Sequence, residues 1–566
     1  MKTSNDLLKI LNKIDGRTYS AYKEIKGKYL FDTFLLSIDH IQGDPFASPS
    51  KITIKVSNQT AGFPKELYVN DSRKRSLQDT LLRTFGIWTE KLSFKAKGSG
   101  KSGLLAVSRC GQEILERSSC EIHKLNGDII LRMEAGMPAN GRRIHSKEAV
   151  KLLFECIPVC IEKALFYKVY DHEVLKKKAE LADDQAYLRN MLKEKGLCAF
   201  IADGAILPRE SGISQKPMKN AVPFRSPDSF AVYIDLPYGG RIRGMGIQYG
   251  ITLIAGGGYH GKSTFLQALE RGVYDHIMGD GREYVMTDDT AMKIRAEDGR
   301  CVRAVDISLF IQDLPNGRDT ECFYTEDASG STSQAANVVE ALEADSRLLL
   351  MDEDTSAANF MIRDELMQMV VQRNEEPIIP YIDRIQQLYQ RKGVSSIIVA
   401  GSSGAYFQKA DRIIQMKQYL PIDITDFAKE AAKSFPVKSV EIPEWKEPHI
   451  DRKPLGIKRK RDDRFKLKTL DTESIQFNRE KIDLRYVEQL VDPEQLTLLG
   501  YMLDYAEKNL MDGQHSLSEI VNEFVLEFEK KGLQIFFEKG YPIAGLCVPR
   551  KQEMYACLNR YRKLQL

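Results

Sequence analysis

A run of glycine, lysine and hydroxyl residues near the middle of the chain has the composition of a loop that binds phosphate. It fits the pattern G-x-x-x-x-G-K-[ST] in full. Glycines let backbone N–H groups curl around phosphate oxygens, and a following helix adds its positive dipole. We expect Lys262 to reach the β- and γ-phosphates of ATP, and the Ser263 hydroxyl to bind Mg²⁺. The full set of expected contacts is Gly256, Gly257, Gly258, Tyr259, His260, Gly261, Lys262, Ser263 and Thr264.

Two adjacent carboxylates supply the residue types that hydrolysis needs. The apolar run Leu348–Met351 ends in Asp352 and Glu353. We expect a parallel strand beside the strand of the phosphate loop, which places both acids at the carboxyl edge where ligands bind. Asp352 would bind Mg²⁺, and Glu353 would polarise the attacking water, so Glu353 and Lys262 are the predicted catalytic residues. Adjacent acids also occur in solvated turns, but a complete phosphate loop favours the catalytic interpretation.

A serine-rich segment upstream of the acidic pair can offer a second helix N-terminus. Ser329, Gly330 and Ser331 precede a helical run, and Ser329 lies 23 positions before Asp352. Such a helix start can bind the nucleotide held by a second copy of the chain. Taken alone, the segment also fits an ordinary N-cap formed by Ser329 or Thr332.

These functional residues require a buried strand, then a loop, then a helix at each point. Ile251–Ala255 is a β-branched and aliphatic run typical of a buried strand, and Phe265–Leu269 favours a helix. Ser395–Ala400 is a further apolar strand run, which ends in Gly401-Ser402-Ser403-Gly404. The sequence therefore predicts an α/β sheet with its ligand edge built from these loops.

The combination of motifs resembles the non-transporter ATPases of the ABC class. The similar strings are 258–264, 279–283, 294–300, 328–334 and 352–357, with 42–46 and 141–143 near the N-terminus. The resemblance implies an α/β fold: a central ABC-type P-loop ATPase domain between an N-terminal α+β domain and a smaller, mainly helical C-terminal domain. It also implies a homodimer with ATP and Mg²⁺, and an association with RNA.

One position departs from most ABC ATPases, which carry a switch histidine after the strand that corresponds to Ser395–Ala400 here. No histidine occurs between His276 and His449, so Ser402 or Ser403 would meet the γ-phosphate without a charge. We therefore expect slow hydrolysis. His260, inside the phosphate loop, is a candidate substitute. The same resemblance makes Gln312 the candidate magnesium-sensing glutamine, with an exposed polar residue at a strand end as the alternative. Tyr238, upstream of the loop, could stack on adenine or be an ordinary exposed turn tyrosine.

A second GKS string and two basic segments leave alternatives open. Gly98–Gly103 contains GKS, but Lys95 replaces the first loop glycine, which favours a flexible basic turn over a nucleotide loop. The segment 452–468 carries nine Lys or Arg against two Asp. The terminal helix adds basic residues interleaved with Tyr555 and Tyr561, namely Arg550, Lys551, Arg560, Arg562 and Lys563. Both segments fit either RNA binding or a solvated surface. The core of the basic segment is Lys458, Arg459, Lys460 and Arg461.

Composition is that of an ordinary soluble protein, with 43% hydrophobic and 28% charged residues and a net charge of +3. We expect three segments: 1–225, 226–420, and 421–566 with a basic linker. No apolar run is long enough to span a membrane, and the nine scattered cysteines favour a reducing, cytoplasmic setting. The sequence predicts an ATPase that binds ATP-Mg between two copies and gates a partner, RNA by the resemblance. The alternative is a regulatory switch that acts on proteins or small molecules.

Overall fold

The computed structural model describes residues 2–363, 370–371, 375–401, 403–435, 442–456, 465–536 and 543–566. The chain forms two compact units. The first consists of Met1–Asp183 with Lys531–Val548, and the second of Asp184–Lys530 with Pro549–Leu566. These units group the chain differently from the predicted segments 1–225, 226–420 and 421–566, which stay a prediction.

The first unit is an α+β structure around a seven-stranded sheet in the order β1-β2-β3-β4-β8-β5, with β7 also paired to β8. Its helices and sheet share one apolar core. The strands are Lys2–Thr3 (β1), Gly27–Leu30 (β2), Leu35–His40 (β3), Ser50–Val56 (β4), Leu105–Ala106 (β5), Glu113–Ile114 (β6), Cys120–Ile122 (β7), Ile129–Ala135 (β8), Ala139–Asn140 (β9) and Arg143–Ile144 (β10). The α-helices are Ser4–Lys13 (α1), Asn58–Ala61 (α2), Asp71–Leu92 (α3), Ser146–Val150 (α4), Ile157–Ala164 (α5) and His172–Glu194 (α6), the last running on into the second unit.

The second unit holds the predicted nucleotide-binding residues. Its strands are Leu197–Ala202 (β11), Ala231–Leu236 (β12), Gly240–Gln248 (β13), Ile251–Ala255 (β14), Asp275–His276 (β15), Val285–Thr287 (β16), Met292–Ile294 (β17), Val302–Val305 (β18), Phe323–Thr325 (β19), Leu348–Asp352 (β20), Ser395–Val399 (β21), Arg412–Lys417 (β22), Leu420–Asp423 (β23), Leu467–Leu470 (β24), Ser474–Phe477 (β25) and Glu480–Asp483 (β26). Its described α-helices are Lys262–Arg271 (α7), Gly330–Glu343 (α8), Ala358–Met361 (α9), Tyr381–Lys392 (α10), Thr425–Lys433 (α11), Pro493–Asn509 (α12), Leu517–Lys531 (α13) and Lys551–Asn559 (α14).

A six-stranded sheet in the order β17-β20-β21-β14-β22-β23 positions the site. All neighbours are parallel except β22 and β23, which form an antiparallel hairpin. The strands β20 and β21 are buried along their whole length, as expected for parallel strands covered on both faces. Ile254, Val399 and Asp352 lie in register across β14, β21 and β20, so these three strands end at one edge.

The strand order corrects one expectation. Asp352 and Glu353 were expected on a strand directly beside that of the phosphate loop, but β21 lies between β20 and β14. Each of these strands is a short apolar run, so the local sequence does not encode which of them are neighbours. The insertion brings the end of β21, at Gly401, between the acids and the phosphate loop.

The C-terminal part of the second unit combines helices with a small sheet. Antiparallel β24, β25 and β26 pack with α12, and α14 follows near the chain end. No helix among the described residues is long and apolar enough to cross a membrane.

Candidate functional site

The phosphate loop joins β14 to α7 and presents a row of backbone N–H groups. The N–H groups of residues 257–264 donate no hydrogen bond to any described residue. Gly261, the N-cap of α7, has a φ of 93°, which only glycine adopts readily. A curl of such N–H groups at a helix start is an anion-binding nest. The predicted loop residues therefore have the backbone arrangement that phosphate binding needs.

Lys262 bends back over its own loop. Its Nζ donates to the carbonyls of Gly256 at 2.7 Å and Gly257 at 2.9 Å. A lysine ammonium has three donors, and only two of them are used by described residues. A Cβ built on Gly401 would lie 3.7 Å from this Nζ, which places the end of β21 beside the ammonium.

The acidic pair lies at the same edge of the sheet. Glu353 accepts a hydrogen bond from the N–H of Gly401 at 2.7 Å through Oε2, and Gly401 is the residue that neighbours Lys262. Asp352 is 6% exposed and accepts the N–H of Asp354 at 3.1 Å. The structure thus brings Glu353, Gly401 and Lys262 together, as catalysis on a γ-phosphate would require.

The surroundings of Asp352 bear on its predicted role, with Ser263, as a Mg²⁺ ligand. Asp352 forms no ion pair with a described cationic side chain, although it is nearly buried. A buried carboxylate without a cationic partner is costly unless it binds a cation. The donor set of one carboxylate and one serine hydroxyl also fits Mg²⁺, which takes few protein ligands together with water and phosphate. Within the described ranges there is no group of three His, Cys, Asp or Glu that could form a metal site of another kind.

The serine-rich segment begins helix α8 as predicted. Ser329 is its N-cap, but the Ser329 hydroxyl contacts Thr332 Oγ1 at 2.9 Å instead of a helix N–H. The N–H groups of Gly330, Ser331 and Thr332 have no acceptor among the described residues. The start of α8 therefore has the open N–H groups of a helix first turn and lacks the ordinary serine N-cap bond, and its role toward a nucleotide stays a prediction.

Gln334 joins α8 to the loop after the acidic pair, which the sequence analysis did not anticipate. It is fully buried, donates to Ser356 Oγ at 3.0 Å and accepts the N–H of Ala357 at 2.8 Å. The carbonyl of Thr355 accepts the N–H of Ala296, just after β17. The start of α8 is therefore attached to the β17 and β20 side of the sheet. Because β17 lies three strands from β14, roughly 14 Å away, this start packs on the side away from the phosphate loop of its own chain.

Behind this helix start lies a buried ion network that was also missed. Arg300 contacts Glu340 at 2.5 Å, and Arg560 contacts Glu297 through Nε at 3.1 Å. Burial raises the pKa of Glu297, but Arg560 and Arg300 outweigh it and hold that pKa below its usual range. The remaining members are Asn337, Glu343, Arg452 and Asn559. A signal existed in the sequence: Asn337, Glu340 and Glu343 are spaced three apart, on one face of a helix that is otherwise small and apolar.

Ser402 and Gln312 are the residues predicted to sense the γ-phosphate and Mg²⁺, and the structure supports neither role directly. Gln312 follows a turn and not a strand, and its side-chain amide donates to the Ser308 carbonyl at 2.8 Å. No described contact joins Gln312 to the phosphate loop, so its role stays a prediction. Ser402 lies outside the described residues. Its neighbour Ser403 accepts the N–H of Ala405 at 3.3 Å.

The second GKS string does not form a phosphate nest. Ser99, Lys101 and Gly103 each donate their backbone N–H to a carbonyl of the surrounding loops at 2.8 Å. With these donors used, the turn has no row of free N–H groups for an anion. The hydrogen bonds also show a well-anchored turn, where the sequence suggested a flexible one.

The predicted nucleic-acid residues divide into two groups. Tyr555 and Tyr561 are each 3% exposed, and Arg560 is buried against Glu297, so none of the three can contact a base at the surface. The RNA interpretation of the terminal helix is therefore wrong for these three residues, whereas Lys551, Arg562 and Lys563 are exposed and for them it stays a prediction. The basic segment Lys458, Arg459, Lys460 and Arg461 lies outside the described residues.

Comparison with known proteins agrees with this architecture along most of the chain. Residues 4–168 match the family described as the N-terminal part of ATPases of the ABC class. Residues 171–452 match the P-loop domain of the same class, and residues 466–566 match the MRB1590 C-terminal domain.

Individual relatives are more distant. The chain is 31% identical over 303 residues to the uncharacterised protein MJ1628 of Methanocaldococcus jannaschii, a match that covers 51% of this chain and 65% of that protein. The structure of cbiO1 from Clostridium perfringens, part of the ABC transporter complex cbiONQ, is 13% identical over 42% of this chain and 94% of its own, with a TM-score of 0.27. The ADP conformation of MJ1267, an ATP-binding cassette of an ABC transporter, is 12% identical over 36% and 92%, with a TM-score of 0.23. TM-scores this low do not establish a common fold. From the family matches and the motifs at the sheet edge, the chain belongs to the ATPases of the ABC class.

Proposed function

We propose that this protein binds ATP with Mg²⁺ between two copies of the chain and hydrolyses it slowly to gate the binding of a partner. The observation that carries the proposal is the row of N–H groups at residues 257–264, which have no described protein acceptor, beside Lys262, Gly401 and Glu353. Phosphoryl transfer depends on positioning and electrostatic stabilisation, and these groups supply both.

Each residue has a separate task in this proposal. The loop N–H groups and Lys262 bind and orient the phosphates, and Ser263 with Asp352 would hold Mg²⁺. The bound Mg²⁺ neutralises charge on the phosphate oxygens. Glu353, fixed through Oε2 by the Gly401 N–H, accepts a proton from the attacking water. Ser402 or Ser403 adds at most a neutral hydrogen bond.

A second copy completes the site in this proposal. The N–H groups of Gly330, Ser331 and Thr332 face no described acceptor, and the helix start is attached to the β17 side of the sheet by Gln334. Because its own phosphate loop lies three strands away, the phosphate that this helix binds would belong to the other copy. The homodimer is therefore part of the same proposal.

The test measures ATP-Mg²⁺ affinity by titration calorimetry for wild type, Lys262→Ala and Glu353→Gln. Lys262 contacts phosphate in the ground state, whereas Glu353 acts on water. We therefore expect affinity to be lost in Lys262→Ala and kept in Glu353→Gln, and binding to weaken when Mg²⁺ is chelated. Equal affinity of wild type and Lys262→Ala would rule out the assignment.

The partner is proposed to be RNA, in a cytoplasmic setting, on the strength of the basic segment at residues 458–461. Phosphate contacts of this kind give affinity that falls steeply with salt. Binding of a single-stranded RNA, measured at several salt concentrations with and without ATP, checks this part. Affinity that is absent at low salt would favour the alternative of a switch that acts on proteins or small molecules.

A further inference from the structure

The hairpin turn between β22 and β23 lies against the phosphate loop. Strand β22 is the parallel neighbour of β14, so both end at the ligand edge. Lys417 pairs with Leu420, which leaves Gln418 and Tyr419 as a two-residue turn. The turn is thus on the opposite side of the loop from β21, Gly401 and Glu353.

Two contacts join the turn to the loop. The N–H of Gln418 donates to His260 Nδ1 at 3.0 Å. The Tyr419 ring lies against Gly261, where a built Cβ would come within 3.1 Å of Cδ1. The Tyr419 side chain nevertheless keeps 57% of its surface exposed, so one part of the ring packs on the loop and the rest faces solvent.

The backbone of this turn is unfavourable for its residue types. Gln418 has a φ of 50° and Tyr419 a φ of 69°. A two-residue hairpin turn with both φ positive strongly prefers Asn and Gly, and other residues are strained there. An aromatic residue held in this conformation, at a nucleotide loop, is an outlier that points to a role for the ring.

The direction of a bound nucleotide follows from the catalytic side. The γ-phosphate must lie near Lys262 and Glu353, because those residues act on it. The triphosphate then follows the loop away from β21, and the nucleoside leaves on the β22 side, where the Tyr419 ring is exposed.

We propose that Tyr419 provides the surface on which the base of the bound nucleotide stacks, and that the bond from Gln418 to His260 fixes the turn to the loop. This inference rests on the proposed ATP binding and extends it to the specificity of the site. It assigns the stacking role to a residue after the phosphate loop, in place of Tyr238, whose turn between β12 and β13 is held through its backbone by Asp184.

The experiment compares ATP with inorganic triphosphate, which has no base, as ligands of the full chain. The informative variant is Tyr419→Asn, because Asn removes the ring and accepts a positive φ, so the turn should fold at least as well. Tyr419→Phe keeps the ring and is the matched control. Thermal unfolding of each variant checks that the turn is intact.

Loss of base stacking by substitution typically costs 1–3 kcal/mol. We therefore expect Tyr419→Asn to bind ATP about 5- to 150-fold more weakly than wild type. Its affinity for triphosphate should be unchanged, and Tyr419→Phe should bind both ligands like wild type.

Three results would overturn the inference. They are unchanged ATP affinity in Tyr419→Asn, an equal loss for ATP and triphosphate, or a base-dependent loss in Tyr238→Ala instead. A wild type that binds neither ATP nor triphosphate would contradict the proposed function itself, and the two failures are therefore distinguishable.

Discussion

Two helices of the second unit have N-termini that we propose as anion-binding sites, and the protein holds them in different ways. Helix α7 follows an exposed glycine loop with few side-chain contacts, which are those of Lys262 with loop carbonyls and those with Gln418 and Tyr419 of the β22–β23 turn. Helix α8 is buried from Ser333 to Glu343. It forms ion pairs with Arg300 and Arg452 and accepts a hydrogen bond from Arg560 through Asn337. The first site can adapt to its ligand, whereas the position of the second is set by the surrounding protein.

The ions around α8 connect distant parts of the sequence. Arg452 contacts Glu343 and Asn559, and Arg560 contacts Glu297 and shares Asn337 with Arg300. Breaking a buried pair leaves a charge without compensation, whereas an exposed pair contributes little. Asn559 and Arg560 therefore belong to the support of α8, the helix whose start would meet the second nucleotide.

The largest expected effect is a loss of stability when a buried ion near α8 loses its partner. Arg560→Met removes one partner of the buried Glu297, and we expect the free energy of unfolding to fall by about 3–5 kcal/mol. The control is Lys433→Met, which breaks the exposed pair with Glu430 and should cost about 0–0.5 kcal/mol. Urea denaturation of both variants measures the difference. Equal midpoints would contradict the view that the ions fix α8.

The second prediction concerns the exposed end of the same helix. Ser329→Arg places a long side chain at the start of α8 without touching the buried ions behind it. ATP should drive Glu353→Gln protein into dimers, since nucleotide is retained, and Ser329→Arg in that background should abolish the mass shift in light scattering. Ser211→Arg, at an exposed loop serine of the same unit, should leave the shift in place.

Failure of that association would be equally informative. ATP-loaded Glu353→Gln protein that stays strictly monomeric would mean that the start of α8 does not complete a site across two copies. The anion-binding geometry of Gly330, Ser331 and Thr332 would then need another ligand.

The motif residues could be predicted because their chemistry depends on local sequence. The predicted strand 251–255 agrees with β14, and the acids lie at the end of β20 as expected, Asp352 as its last residue and Glu353 directly after it. A glycine loop and a strand end require particular residues at fixed spacing, so the pattern is visible without the fold. The resemblance to the ABC class added the role of the start of α8, which a serine-rich segment alone does not specify.

What could not be predicted depends on contacts between distant segments. The order β14-β21-β20 leaves no local trace, because fully buried parallel strands have similar apolar sequences. Arg560, Tyr555 and Tyr561 were assigned to the surface because basic and aromatic residues alternate there. Arg560 is instead buried against Glu297 and Tyr561 against Glu507, each more than fifty residues away in the chain. Tyr419 escaped notice for the same reason, since nothing near it in sequence indicates the phosphate loop.

The smallest expected effect is on the rate of hydrolysis. It distinguishes the β21 side of the phosphate loop, where Ser402 follows the strand, from the β22 side, where His260 contacts the hairpin turn. We expect turnover well below the roughly 10 s⁻¹ typical of enzymes, because no histidine stands at residues 401–404 and a charge-assisted hydrogen bond is about twice as strong as a neutral one. Ser402→His should therefore raise turnover about tenfold, the effect of roughly 1.4 kcal/mol of transition-state stabilisation.

His260 does not fill this role in our interpretation, because its Nδ1 accepts the Gln418 N–H on the β22 side of the loop, away from Glu353. His260→Ala should accordingly change nucleotide affinity more than turnover at saturating ATP. Steady-state ATPase assays on the three proteins decide the point, and fast wild-type turnover that disappears in His260→Ala would show that the histidine acts from within the loop and that hydrolysis is not a slow timer.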